Sequence, residues 1–273
     1  GGGALYLVVA GDFTNGGVVT ADGEAHYSAC GAGGSIYIAA ANIYGAGKYS
    51  SSVPAMGKTD GTGAVGSGGR IALVATGVNE AANISCTGRC EGWGRRGAAG
   101  TVYLKSGSVN EVRVKNSEQE SWNMIQATTP IPAEGDTMNW KKCARDIDLV
   151  GDWCAHLRLT QPVVKMNSLS LLSAASNRKN GNTVYYRQSD LDLAGKILQV
   201  RSVIVDGVDL KLPVGDYTLA DAETLGWTWL KDSSHKAAVE DNPDTSDVDE
   251  SAAEVPGTGI LRIVRGGMVI LVR

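Results

Sequence analysis

Acidic side chains gather between Glu240 and Glu254, where Asp244, Asp247 and Asp249 are the candidates for holding Ca²⁺. Carboxylates are the hard oxygen ligands this cation takes. The spacing is not that of an EF-hand and the glycine for its sharp turn is missing, so a solvated loop between two strands is the competing reading. Trp227-Thr228-Trp229 sets two indoles on one face of a strand. Such a pair, or Trp93 in Glu91-Gly92-Trp93-Gly94, could stack on a sugar ring. The same indoles could instead cover the core at the end of a stack of repeats. Asp12, Asp22 and Glu24, and separately Arg89, Arg95 and Arg96, are groups a polysaccharide lyase or glycosidase would bring into one cleft. No pair of them recurs at a fixed spacing. The three histidines are scattered, and no H-E-x-x-H, G-x-S-x-G or phosphate-loop context occurs. No catalytic residue is assigned, and Ca²⁺ is the single candidate cofactor.

Five cysteines are present. Cys143 and Cys154 could close a small loop, and Cys86 and Cys90 could pair tightly. Buried free thiols are the other reading, since free Cys is among the most buried residue types. No zinc-site spacing with His occurs.

What positions these groups is a repeat. Gly2-Gly3-Ala4-Leu5-Tyr6-Leu7, Gly33-Gly34-Ser35-Ile36-Tyr37-Ile38, Gly68-Gly69-Arg70-Ile71-Ala72-Leu73 and Ala99-Gly100-Thr101-Val102-Tyr103-Leu104 align. Their starts are 31, 35 and 31 residues apart. Each alternates as a half-buried strand does. A turn follows, at Gly11-Asp12, Asn42, Gly77 and Gly107. A second short strand comes next in three units: Val18–Ala21, Asn83–Cys86 and Val112–Val114. A coil of this kind cannot bury its inner face alone, and stacking makes the core continuous. Paired glycines suit corners where φ is positive or a Cβ would strike the neighbouring coil. The expected fold is all-β: a parallel β-solenoid with a β-rich C-terminal cap or small β-sandwich. The expected divisions are 1–116, Gly-rich solenoid repeats; 117–145, an irregular insertion; 146–205, further coils; and 206–273, the cap.

Composition agrees. Gly makes up 36 of 273 residues, about twice the usual share. Phe occurs once, so the apolar layers rest on smaller side chains. The net charge is −4 and no basic stripe is present, which argues against a nucleic-acid partner. No apolar run approaches the length of a membrane span.

Leu191–Val200 alternates apolar and polar residues and continues through Arg201–Gly207. This stretch resembles coils of extracellular bacterial β-helix proteins of the autotransporter and adhesin type. Leu212–Thr218 and Gly257–Ile263 look like the C-terminal part of such surface proteins. The resemblance covers roughly the last 85 residues and carries no catalytic residue. It implies a bacterial extracellular or cell-surface setting.

The chain opens on Gly1 directly into a repeat, as a processed product or excised fragment would. An uncapped solenoid end exposes strand edges and core. Leu5, Tyr6 and Leu7 at one end, and Val269, Ile270 and Leu271 at the other, are therefore the expected assembly contacts. The partner is then another copy, or an upstream part of the same precursor. The expected function is an extracellular, non-enzymatic structural subunit that self-associates into a fibre or surface layer. A carbohydrate- or surface-binding adhesin fragment, with polysaccharide as partner, is the first alternative. A polysaccharide lyase or glycosidase is the second.

Overall fold

A computed structural model describes residues 1–24, 30–53, 66–88, 90–91, 95–115, 127–132, 146–152, 155–180, 183–233 and 258–265. Almost every element is a strand, and the strands stack as a parallel β-solenoid. In the first half each coil has three faces. The first face stacks Ala4–Val8, Ser35–Ala40, Arg70–Ala75 and Thr101–Lys105, in parallel and in register. The second stacks Phe13–Thr14 on Ile43–Tyr44. The third stacks Val18–Thr20, Lys48–Ser50 and Asn83–Ser85. Inward positions are apolar: Ile36, Ile38, Ile71 and Leu73 are almost completely buried, as are Ile43 and Tyr49. Burial of each such aliphatic side chain is worth about 1.5–3 kcal/mol.

The glycine pairs sit at the corner between third and first faces. The second glycine donates its N–H to a third-face carbonyl: Gly34 to Ala21 at 2.7 Å, Gly69 to Ser51 at 2.8 Å, Gly100 to Cys86 at 2.7 Å. The backbone is so close that no Cβ fits. One on Gly34 would lie 1.9 Å from the carbonyl oxygen of Gly3, and one on Gly69 2.0 Å from that of Gly34. Close approach between coils, not positive φ, is the reason for these glycines.

The fourth repeat departs from expectation. Val112-Arg113-Val114 is not the second strand of a coil. It belongs to Asn110–Lys115, which pairs antiparallel with Thr101–Lys105 around a Ser106–Val109 turn. From there the same sheet runs on in parallel through Asp148–Asp152, Ser168–Leu171 and Ser202–Val205. Strand direction has reversed, and the core has changed sides. Opposed residues of an antiparallel pair share a face. Tyr103 opposes Val112, and both pack on the second core, whereas Val102 and Leu104 pack on the first. Reversing both strand direction and core side, while the stack advances along one axis, keeps the hand of the coil. The reversal accordingly divides the solenoid into two half-stacks that share one sheet.

The second half-stack repeats the three-faced plan. Thr129–Ile131, His156–Leu159, Asp190–Asp192 and Leu230–Lys231 form its second face, and Val163–Lys165, Ile197–Val200 and Ile260–Ile263 its third. Coil strands thus occur inside the stretch expected to be irregular, and within the expected cap. Closure at the far end is mixed. Val208–Asp209 and Gly215–Tyr217 pair antiparallel on the stack, and a short helix, α1 (Leu219–Thr224), buries Ala222. Thr218 and Asp221 form a capping box at its start, a signal the strand-based reading passed over. Asp216 and Arg262 pair through two hydrogen bonds of 2.6 and 2.7 Å across the antiparallel join.

Gly69→Ala should cost about 3 kcal/mol or more, because the backbone at Gly33 and Gly34 and the Ser51 hydroxyl must all give way. Gly16→Ala, where nothing lies within 4 Å, should stay within about 1 kcal/mol of wild type. Urea unfolding of the two variants checks this.

Candidate functional site

The first coil is open among the described residues. Its three strands each lie at the edge of their sheet. Leu5 is 38% exposed where its register partner Ile36 is 2% exposed. Leu7, Phe13 and Val19 are half-buried where their partners Ile38, Ile43 and Tyr49 are fully buried. Tyr6 points outward from the same strand, and its ring stacks on Tyr37 at 4.9 Å. Among the described residues no atom lies within 4 Å of where a Cβ on Gly3 would be. Its counterparts Gly34, Gly69 and Gly100 are each pressed by a carbonyl of the preceding coil. Val269, Ile270 and Leu271, the contacts expected at the other end, lie outside the described residues.

The far end is closed. Trp227 stacks on Trp229 at 5.1 Å and packs on Tyr217 at 5.5 Å. Trp229 is 3% exposed and Leu230 2% exposed. The geometry therefore corrects the sugar-stacking reading of Trp229, which presents no free face. This pair covers the last coil. Trp93 lies outside the described residues, as do Asp244, Asp247 and Asp249. Among the described residues no group of three or more potential metal ligands occurs.

The carboxylates of the first coil do not converge. Asp12 accepts a hydrogen bond from Asn42 Nδ2 at 2.7 Å. Asp22 accepts from the Ser50 hydroxyl and the Ser52 N–H, both at 2.6 Å. Each ties its own corner to the coil below. Asp148 likewise accepts from Asn167 and from the Ser168 hydroxyl.

Cys86 is a buried free thiol, so the Cys86–Cys90 disulfide does not form. It stands one coil below Ser51. The Ser51 hydroxyl donates to the Gly34 carbonyl at 2.7 Å, and the Cys86 thiol donates to that of Gly69 at 2.8 Å. Burial pushes this thiol up from 9.0 to about 12. Cys30 is also buried. Cys143 and Cys154 lie outside the described residues.

Two arrangements had no sequence signal. On the second half-stack, Asp190 Oδ2 accepts from His156 Nδ1 at 2.7 Å and from Lys231 Nζ. These residues come from three successive coils, 34 and 41 positions apart, and Asp190 and His156 are buried. A carboxylate that orients a histidine is half of a proton relay. His156 Nε2 has no hydrogen-bond partner among the described residues, and the group ties three coils together. The second arrangement follows from the core changing sides. Strand Asn110–Lys115 turns Glu111 and Arg113 over the open lower end of the first half-stack. A cavity of about 420 Å³ lies there, floored by Ile84, Cys86, Val102 and Leu104. Arg113 pairs with Glu111 at 2.8 Å, and its Nε is buried without a hydrogen-bond partner among the described residues.

The fold defines the class, a parallel β-solenoid built of two half-stacks. No family model, curated protein or solved structure matches the chain. No helix among the described residues is long and apolar enough to cross a membrane.

The Cys86 shift has a consequence for stability. Its folded value lies above its unfolded one, so its contribution is full below about pH 9 and is lost as pH rises towards 12. Cys86→Ser places a second Ser51-like hydroxyl at the corner and removes that titration. Urea unfolding at about pH 8 and about pH 10.5 should show a smaller loss of stability for the variant than for wild type.

Proposed function

We propose that the chain is a structural β-solenoid module. It stacks its open first coil on a further parallel coil of the same Gly-Gly repeat and closes the stack at its other end. One observation carries this reading: Gly3 is a glycine with open space where its Cβ would be. Gly34, Gly69 and Gly100 are glycine because the coil above leaves no room. Gly3 has the same reason only when a parallel, in-register coil lies above it. The partly exposed Leu5, Leu7, Phe13 and Val19 and the three free strand edges support the same occupant.

A second copy offers no such coil among the described residues. Its Thr101–Lys105 strand is already paired, and its far end carries antiparallel strands and a helix. This favours a coil from a longer solenoid over the head-to-tail fibre expected at first. The role is mechanical: a rigid, protease-resistant rod end. A cell-surface setting belongs to this reading through the resemblance of 191–218 and 257–263 alone.

A tandem duplication of residues 2–32 tests it. The added coil should raise the unfolding midpoint by covering the original first coil. Gly3→Ala should be tolerated within about 1 kcal/mol in the chain as it is. The same change in the inner copy of the duplicated chain should cost about 3 kcal/mol. Equal tolerance in both backgrounds would contradict the proposal.

A further inference from the structure

The outward side of the first face carries a row in register: Tyr6, Tyr37, Ala72 and Tyr103. Tyr6 covers one face of the Tyr37 ring, with an interplanar angle of 9°. Ala72, next in the row, sets only a methyl beside the other face, and Tyr37 remains partly exposed. Tyr103 stands beyond the gap as a fixed wall. Its hydroxyl donates to Asn110 Oδ1 at 2.9 Å, and its ring packs on the second core. Tyr37 and Tyr103 are two strands apart, so about 10 Å separates their positions. Two van der Waals contacts of about 3.5–4 Å occupy most of that distance and leave a slot one puckered ring thick.

The charged outward residues of the four strands are of one sign. The outward residues of the four strands are Ala4, Tyr6 and Val8; Ser35, Tyr37 and Ala39; Arg70, Ala72 and Val74; Thr101, Tyr103 and Lys105. Arg70 and Lys105 are the only charged ones, and both are exposed. Arg70 lies two residues from Ala72 along its strand, and Lys105 two residues beyond Tyr103. They flank the slot at opposite ends.

We propose that the Tyr37–Ala72–Tyr103 slot binds a hexuronate ring of an acidic polysaccharide. The C–H faces of the pyranose lie against the two phenols, the Ala72 methyl is the floor, and Arg70 and Lys105 hold the carboxylate and that of the next unit. Aromatic faces suit the apolar sides of a sugar, and the two cations select an anionic one. Coil stacking at the first coil is a separate matter, since the slot begins one coil below it.

Calorimetric titration of the full chain with oligogalacturonate and oligomannuronate tests the slot, with neutral galactose oligomers as comparison. At least one acidic oligomer should bind, the neutral ones at least about tenfold more weakly, and added salt should weaken binding. Ala72→Tyr completes the aromatic row and fills the slot. It should keep the wild-type unfolding midpoint and weaken binding about tenfold or more. Arg70→Gln should also weaken binding, with the fold intact. Three results would overturn the proposal: no binding of either acidic oligomer, equal binding of the neutral ones, or unchanged binding by a folded Ala72→Tyr. Preferential capture of aromatic peptides would likewise replace it with a protein-docking surface.

Discussion

The first half-stack depends on how closely two backbones can meet at one corner. The hydrogen bonds from Gly34, Gly69 and Gly100 to Ala21, Ser51 and Cys86 close each coil at nearly the same length. Between donor and acceptor lie 12, 17 and 13 residues. The bond thus isolates the stack from the length of the loop, which is why repeats of 31 and 35 residues coexist in one register. Hydrophobic burial along the axis follows from that register. Ile36 over Ile71, and Ile38 over Leu73, are contacts of like on like that a slip of one residue would turn outward.

The second half is related to the first by the hairpin at Ser106–Val109. A sheet that reverses its strands offers its other face to the chain that follows. Using that face preserves the hand of winding, and the cost appears at the junction. Each half-stack there ends against the back of a strand belonging to the other. Tyr103 and Arg113 are the residues that meet this need, one apolar enough to join the second core and the other paired with Glu111 beside the cavity. At the far end the problem is solved differently, with antiparallel strands, a capped helix and stacked tryptophans. The open first coil is the one end without a comparable device among the described residues.

Much of this was legible in the residues. The Gly-Gly-x-apolar-Tyr/Ala-apolar repeat marks the first-face strands because both glycines answer a steric demand that recurs with each coil. The same demand explains the exception at Ala99. Gly2, Gly33 and Gly68 each abut the third-face carbonyl that ends their own coil, at Ala21, Ser51 and Cys86, whereas the chain after the fourth first-face strand reverses in a hairpin. That substitution, together with four residues between two alternating strands, signals the reversal that was read as another coil. Lys48–Ser50 escaped notice because Tyr49 is the only large apolar residue in it, though it is fully buried. The ties among His156, Asp190 and Lys231 were illegible in principle, since nothing local links positions 34 and 41 residues apart. Trp227-Thr228-Trp229 was recognised as a pair, and the burial of Trp229 over the last coil is what spacing alone could not supply.

Among the described residues the molecule is a stack with one open end and one closed end. Native-state hydrogen exchange, resolved residue by residue, tests this most directly. Amides of Ala4–Val8, Phe13–Thr14 and Val18–Thr20 should exchange far faster than those of their partners in Ser35–Ala40, Ile43–Tyr44 and Lys48–Ser50. Amides of Leu230–Lys231 and Ile260–Ile263, under the closing helix and tryptophans, should be protected. First-coil strands as well protected as the second coil, or far-end strands exchanging as fast as the first, would contradict it.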